Sequence, residues 1–133
     1  MEKNSFYVSQ SYSVEQMVSN EIVQEFAKVS GDDNPIHVNE SYAKKSIFKG
    51  QIAHGMLSAA YISAVLGTKF PGNGTIYLGQ NLKFIKPVYV GDTIKIEITV
   101  LEIGEKSKAR LSTNVFNSDG ELVVEGEAVV KLP

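Results

Sequence analysis

The chain contains no cysteine. A disulfide framework is thereby excluded, along with thiolate nucleophiles and cysteine-based metal sites. Histidine is nearly as scarce, with His37 and His54 the only two. With so few ligands and no glycine-rich phosphate loop, neither a metal nor a nucleotide is expected. There is also no excess of positive charge. Thirteen basic residues face fifteen acidic ones, for a formal net charge of -2, and Lys44-Lys45 is the only adjacent basic pair. A nucleic-acid or acidic-membrane partner would favour a basic patch, so neither is expected. Long apolar runs are missing too. The stretch from Met56 to Leu66 is broken by Ser58 and Ser63 and is too short to span a bilayer. Met1 to Gln10 lacks the apolar core of a signal peptide. The expectation is a soluble cytoplasmic protein.

What is present is ordinary globular composition, 43% hydrophobic and 21% charged over 133 residues. That length suits one domain, residues 1–133, and buries one real core. No repeat, low-complexity tract or linker interrupts it. Residues 6–18 mix apolar and polar side chains and are expected to include a short extended piece. Ser19-Asn20 offers a helix cap. Ile22, Val23, Phe26, Ala27 and Val29 fall at helical spacing, so 20–30 reads as an amphipathic helix ended by Gly31. Residues 31–39 read as loop, 40–45 as one helical turn, and 48–54 as a second loop. Residues 55–67 form a helix with no wholly polar face, which predicts burial nearly all round. Period-two alternation then marks strands over 75–85, through Ile94 to Val100, through Leu111 to Val115, and from Leu122 to Val130. Asn117-Ser118-Asp119-Gly120 is a hairpin turn. Four strands in a row joined by short turns imply an antiparallel sheet. The apolar helix is its cover, giving an α+β fold with a curved sheet wrapped on a central helix.

The chemistry-bearing segment is Ser30-Gly31-Asp32-Asp33-Asn34-Pro35-Ile36-His37. Asp32 and His37 stand five positions apart. On a strand that spacing points to opposite faces. On a helix it separates side chains by roughly 140°. A bend is needed to bring them together. Gly31 permits one, and Pro35 fixes its own φ while pushing Asn34 out of the helical region. A carboxylate and an imidazole sharing one water suit general acid–base work. The same string also makes ordinary turns, with Asp32 capping its neighbours, and the residues alone leave both readings open.

Phe26, Val29-Ser30-Gly31-Asp32, Asn34-Pro35-Ile36-His37, Asn39 and Ala43 together resemble the signature of the (R)-specific enoyl-CoA hydratases, or MaoC-like dehydratases. The likeness continues through Ile52, His54-Gly55-Met56, Tyr77-Leu78-Gly79-Gln80, Phe84, Pro87-Val88, Val90-Gly91-Asp92 and Gly126 to Val130, nearly the whole chain. It is nearest to the short single-domain type linked to polyhydroxyalkanoate synthesis. The resemblance implies a hot-dog fold and a homodimer whose sheets join edge to edge. It also implies reversible hydration of trans-2-enoyl-CoA to (R)-3-hydroxyacyl-CoA, of short to medium chain. Coenzyme A belongs to the acyl-CoA substrate, and no cofactor is implied. Asp32 and His37 match the catalytic pair, and Asn34 matches a residue that shapes their loop and is a candidate to touch the water or the thioester. The Gly55 N–H would face the thioester carbonyl at a helix N-terminus. Ser63 matches a serine near the site. Leu66 and Val129 are candidates to line the acyl tunnel, though apolar residues there also suit a core. Ser63 can equally bond back to its own helix, and close packing alone would explain a glycine at 55. His54 reads as a structural residue at the helix entrance, and Gly91-Asp92 as a turn. Asp33 puts a second carboxylate beside Asp32.

Three alternatives follow. A 3-hydroxyacyl-ACP dehydratase would need basic groups at the tunnel mouth, and Lys44, Lys45 and Lys49 are near enough to keep it open. A hot-dog thioesterase commonly has an acidic residue on the central helix, and residues 55–67 carry none. A non-catalytic acyl-thioester-binding module would have no need for both Asp32 and His37.

Overall fold

Strand β1, Ser11–Met17, is followed by helix α1, Asn20–Ser30. The Ser19 hydroxyl accepts from the Ile22 N–H, and Gly31 closes the helix at φ 79, a left-handed angle that suits glycine. These observations come from a computed structural model, which describes residues 5–133. Two short helices come next, α2 over Pro35–Val38 and α3 over Glu40–Lys44. Helix α4, Gly55–Thr68, precedes the remaining strands. These are β2 (Ile76–Phe84), β3 (Thr93–Ile103), β4 (Lys108–Phe116) and β5 (Leu122–Lys131).

All strand pairs are antiparallel, in the spatial order β1-β3-β4-β5-β2. The expected antiparallel sheet is therefore present, with one difference in connection. β2 and β3 are consecutive in sequence but not neighbours. β2 pairs with β5 from Ile76↔Lys131 to Phe84↔Val124 and so forms one edge of the sheet. A bulge lies between Tyr77 and Gly79, where the ladder shifts register.

The core lies between the sheet's inner face and α4. Ile94, Ile96, Ile98 and Val100 of β3, with Leu111 and Val115 of β4, are buried against Leu57, Ile62, Val65 and Leu66 of α4. α4 itself differs from expectation. Leu57, Ser58, Ile62, Val65 and Leu66 are buried, but Met56, Ala60, Ser63 and Ala64 are exposed. Its apolar character is all round, yet one chain covers only one side. No helix among the described residues is long and apolar enough to cross a membrane.

A carboxylate and two imidazoles at the entrance to α4

The segment expected as plain loop contains a turn of helix. Asn34 is its N-cap, accepting from the Ile36 N–H through Oδ1 at 3.2 Å, and Pro35 occupies the first helical position. Proline suits that place, since its missing N–H would be unpaired there anyway. The single turn swings His37 back over the residues before the cap. Asp32 lies just outside it, with its carboxylate accepting from the Asn34 N–H at 3.4 Å and its own N–H donating to Ser30 Oγ at 3.1 Å. Ligand atoms of Asp32, His37 and His54 all come within 4.8 Å of one another. Asp32 is exposed, His37 half-buried and His54 buried. The neighbouring Asp33 is also exposed.

The imidazole of His37 is oriented by its Nδ1, 2.7 Å from the Ile52 carbonyl oxygen. A carbonyl only accepts, so Nδ1 carries a hydrogen, and Nε2 is the nitrogen left free of that contact. Gln51 Nε2 donates to the His37 carbonyl at 2.7 Å, and the Ile52 N–H donates to the Ile36 carbonyl at 3.3 Å. The 51–53 segment is itself pinned to residues 88–90. Ala53 N–H donates to the Val88 carbonyl and Val90 N–H to that of Gln51, around an Ile52↔Tyr89 bridge. His54 stacks on His37 with centroids 3.9 Å apart, and its Nε2 lies 2.8 Å from the Asp32 main-chain oxygen. The sequence offered no sign of this contact beyond the position of His54 at the helix entrance.

Three such groups invite the question of a metal. Lone pairs that share an ion must converge on it. Here the imidazole rings lie nearly face to face, 28° between planes, and each has one nitrogen turned to a carbonyl. One nitrogen of each ring is thereby committed to the main chain, and the other stands in the cluster with the Asp32 carboxylate.

Gly55 begins α4 beside this cluster, and no side chain caps the helix. The first N–H groups of a helix have no partner within it, and they carry the positive end of its dipole. A Cβ on Gly55 would stand 2.7 Å from the Phe84 ring, so close packing also requires glycine there. An apolar cleft of about 440 Å³ opens at this point, with His37 and Gly55 at its polar end and Phe48, Met56, Phe84 and Ile85 among its walls.

The other expected site residues are not gathered into this cleft. Ser63 is exposed and lines a separate groove of about 490 Å³ between α4 and β2, with Phe26, Tyr77 and Gln80. There the Tyr77 hydroxyl donates to Gln80, and burial pushes its pKa up. Leu66 is 1% exposed and belongs to the core. Val129 does not join the cleft either. Alternation along β5 buries Ala128 and Val130, which turns Val129 to the opposite face, in a groove with Glu102 and Arg110. Asp92 ends the 91–92 turn as read, accepting from the Thr93 N–H, with Gly91 at φ 98.

Comparison with known proteins gives a consistent result. Residues 5–119 match the model of the MaoC like domain. The chain is 47% identical over 124 residues to the (R)-specific enoyl-CoA hydratase of Rhodospirillum rubrum, covering 93% of this chain and 86% of the relative. Among solved structures, the (R)-hydratase from A. caviae involved in PHA biosynthesis superposes with a TM-score of 0.95 at 42% identity, covering 98% of this chain and 100% of that one. The unliganded R-hydratase PhaJ1 from Pseudomonas aeruginosa gives a TM-score of 0.94 at 48% identity, covering 96% and 83%.

Proposed function

The chain belongs to the MaoC-like domain family with a hot-dog fold, and from that premise we propose that it hydrates trans-2-enoyl-CoA reversibly to (R)-3-hydroxyacyl-CoA. The single observation that carries this reading is the approach of the Asp32 carboxylate to the His37 imidazole beside an apolar cleft and an uncapped helix N-terminus. Water held between the two groups attacks C3 of the enoyl chain through its oxygen. The π electrons of the C2–C3 bond move onto the thioester oxygen, which the Gly55 N–H faces. One proton leaves the water for the Asp32–His37 pair. The enolate then collapses, and the pair returns a proton to C2. Water is thus added with no net change in the enzyme. The two groups act as one relay, since close titrating groups share their protons. Removing one donor to such a developing oxyanion typically costs about 3–4 kcal/mol.

The active form is a homodimer joined along β2. Support comes from two surfaces that a single chain leaves uncovered. β2 is an edge strand with Ile76, Tyr77 and Leu78 exposed, and the adjoining side of α4 exposes Met56 and Ala60. An apolar edge of this kind is what natural sheets avoid leaving unpaired. The groove with Ser63, Tyr77 and Gln80 lies along this surface, so Ser63 meets the substrate only in the assembled form.

A hydration assay across crotonyl-, hexenoyl- and decenoyl-CoA, with the chirality of the product determined, tests the reading. The (R)-alcohol on the CoA esters is expected. An (S)-product, or release of free CoA faster than hydration, refutes it. Faster turnover on acyl-carrier-protein esters would move the assignment to the carrier-linked dehydratase.

A further inference from the structure

His54 is 3% exposed, and its Nδ1 is buried with no hydrogen-bond partner among the described residues. An imidazole with one unused nitrogen is a costly way to fill an interior, because a buried polar atom has given up water for nothing. An apolar ring would pack against Phe26, 4.9 Å away, and against His37 without that loss. What an apolar ring would not supply is the other nitrogen. Nε2 sits 2.8 Å from the Asp32 main-chain oxygen, and since a carbonyl only accepts, Nε2–H is the donor.

That bond has no substitute. The turn over residues 31–34 is otherwise tied only to near neighbours, through Ala27, Ser30, its own Asn34 N–H and the N–H groups of Ile36 and His37 that Asn34 accepts. Among the described residues, the His54 contact is its one hydrogen bond to a distant part of the chain. His37, by contrast, is fastened by the Ile52 carbonyl at its ring and by Gln51 at its main chain. Ile52 and His54 therefore grip opposite members of the pair from one short segment, and that segment is anchored to residues 88–90.

Building on the hydratase reading, we propose that His54 is a positioning residue. Its Nε2–H fixes the Asp32 turn and its ring face fixes the plane of His37, so the spacing of carboxylate and imidazole is set from the entrance of α4. Although His54 also lines the cleft, its Nδ1 is buried and its Nε2–H is committed to the Asp32 main chain, so it acts through the pair.

The arrangement carries a spectroscopic signature. The carbonyl contacts require hydrogen on Nδ1 for His37 and on Nε2 for His54, which are opposite tautomers. Nitrogen NMR on the intact, histidine-labelled protein reads this directly, and His54→Phe assigns the resonances. The same variant keeps a ring but loses the donor. It is expected to lower kcat on crotonyl-CoA by roughly 10²-fold, the scale of a small misplacement of reacting groups, with KM nearly unchanged. His54→Gln restores a donor at the place of Nε2 and is expected to recover most of that loss. Absence of hydrogen on Nε2 of His54 in the wild-type protein overturns the proposal whether or not a variant folds. So does a folded His54→Phe with wild-type kcat, or a Gln variant no better than Phe. A wild-type protein that does not hydrate enoyl-CoA refutes the activity reading. The tautomer pattern is measured independently of turnover, so the two failures are told apart.

Discussion

Asp32 and His37 are held by different means, and single substitutions should separate what each contributes. The His37 ring is half-buried and fastened to Ile52, whereas the Asp32 side chain is exposed. Asp32→Asn and His37→Ala are each expected to reduce hydration by ~10²–10⁴-fold, the range of a lost acid–base group. Near-wild-type melting temperatures are expected, because neither side chain fills the core; thermal denaturation beside the kinetic assay checks both. Gly55→Ala tests the helix entrance. The new methyl would meet the Phe84 ring, which is itself 52% exposed and able to swing aside. The loss should therefore appear in kcat/KM, through a displaced ring in the cleft, more than in stability. Adding Phe84→Leu should return part of the activity, and failure to do so would place the fault in the backbone rather than the ring. At this scale the proline-bent spacing of Asp32 and His37 pointed to a turn that brings the two groups together, as the structure has it, while their chemical role was suggested by the family resemblance alone. The sequence concealed His54, because a stacking partner 17 positions away leaves no local pattern.

Short elements were read less well than long ones, for a reason in the signal itself. α1 carries enough turns for periodicity, and its limits at Asn20 and Ser30 follow from Ser19 and Gly31. α2 has four residues, too few for any period, and was expected as loop. Its start was nonetheless written in Asn34-Pro35, a cap followed by the residue best suited to the first helical position. For α4, apolarity on every side predicted full burial, but composition does not say whether the cover comes from the same chain. The short turns made β3, β4 and β5 neighbours, but the placing of β1 and β2 was not legible, since alternation marks a strand without naming its neighbour. Gly31→Ala probes the junction between α1 and the turn that carries Asp32. Nothing lies within 4 Å of the added methyl, so the cost is confined to the left-handed backbone angle, about 1–2 kcal/mol. Chemical denaturation measures that cost. A larger proportional fall in hydration is expected, because the next residue is Asp32.

For the molecule as a whole, the assembly is open to a direct test. Leu78→Lys on β2 and Ala60→Glu on α4 each set a charge on the exposed apolar surface. Sedimentation should find monomers, with hydration lost alongside. A dimer unaffected by both would remove β2 and α4 from the contact. The strand order has another consequence, for the timing of synthesis. β1 is made first but waits for β3, since Ser11 pairs with Thr99. β2 waits for the last strand, since Ile76 pairs with Lys131. α4, made before either partner, leaves the ribosome with Leu57, Ile62, Val65 and Leu66 bare. A nascent chain stalled short of Leu122 would thus present a greasy, unroofed helix to whatever holdase stands at the exit tunnel. Only once β5 has emerged can both margins of the sheet close.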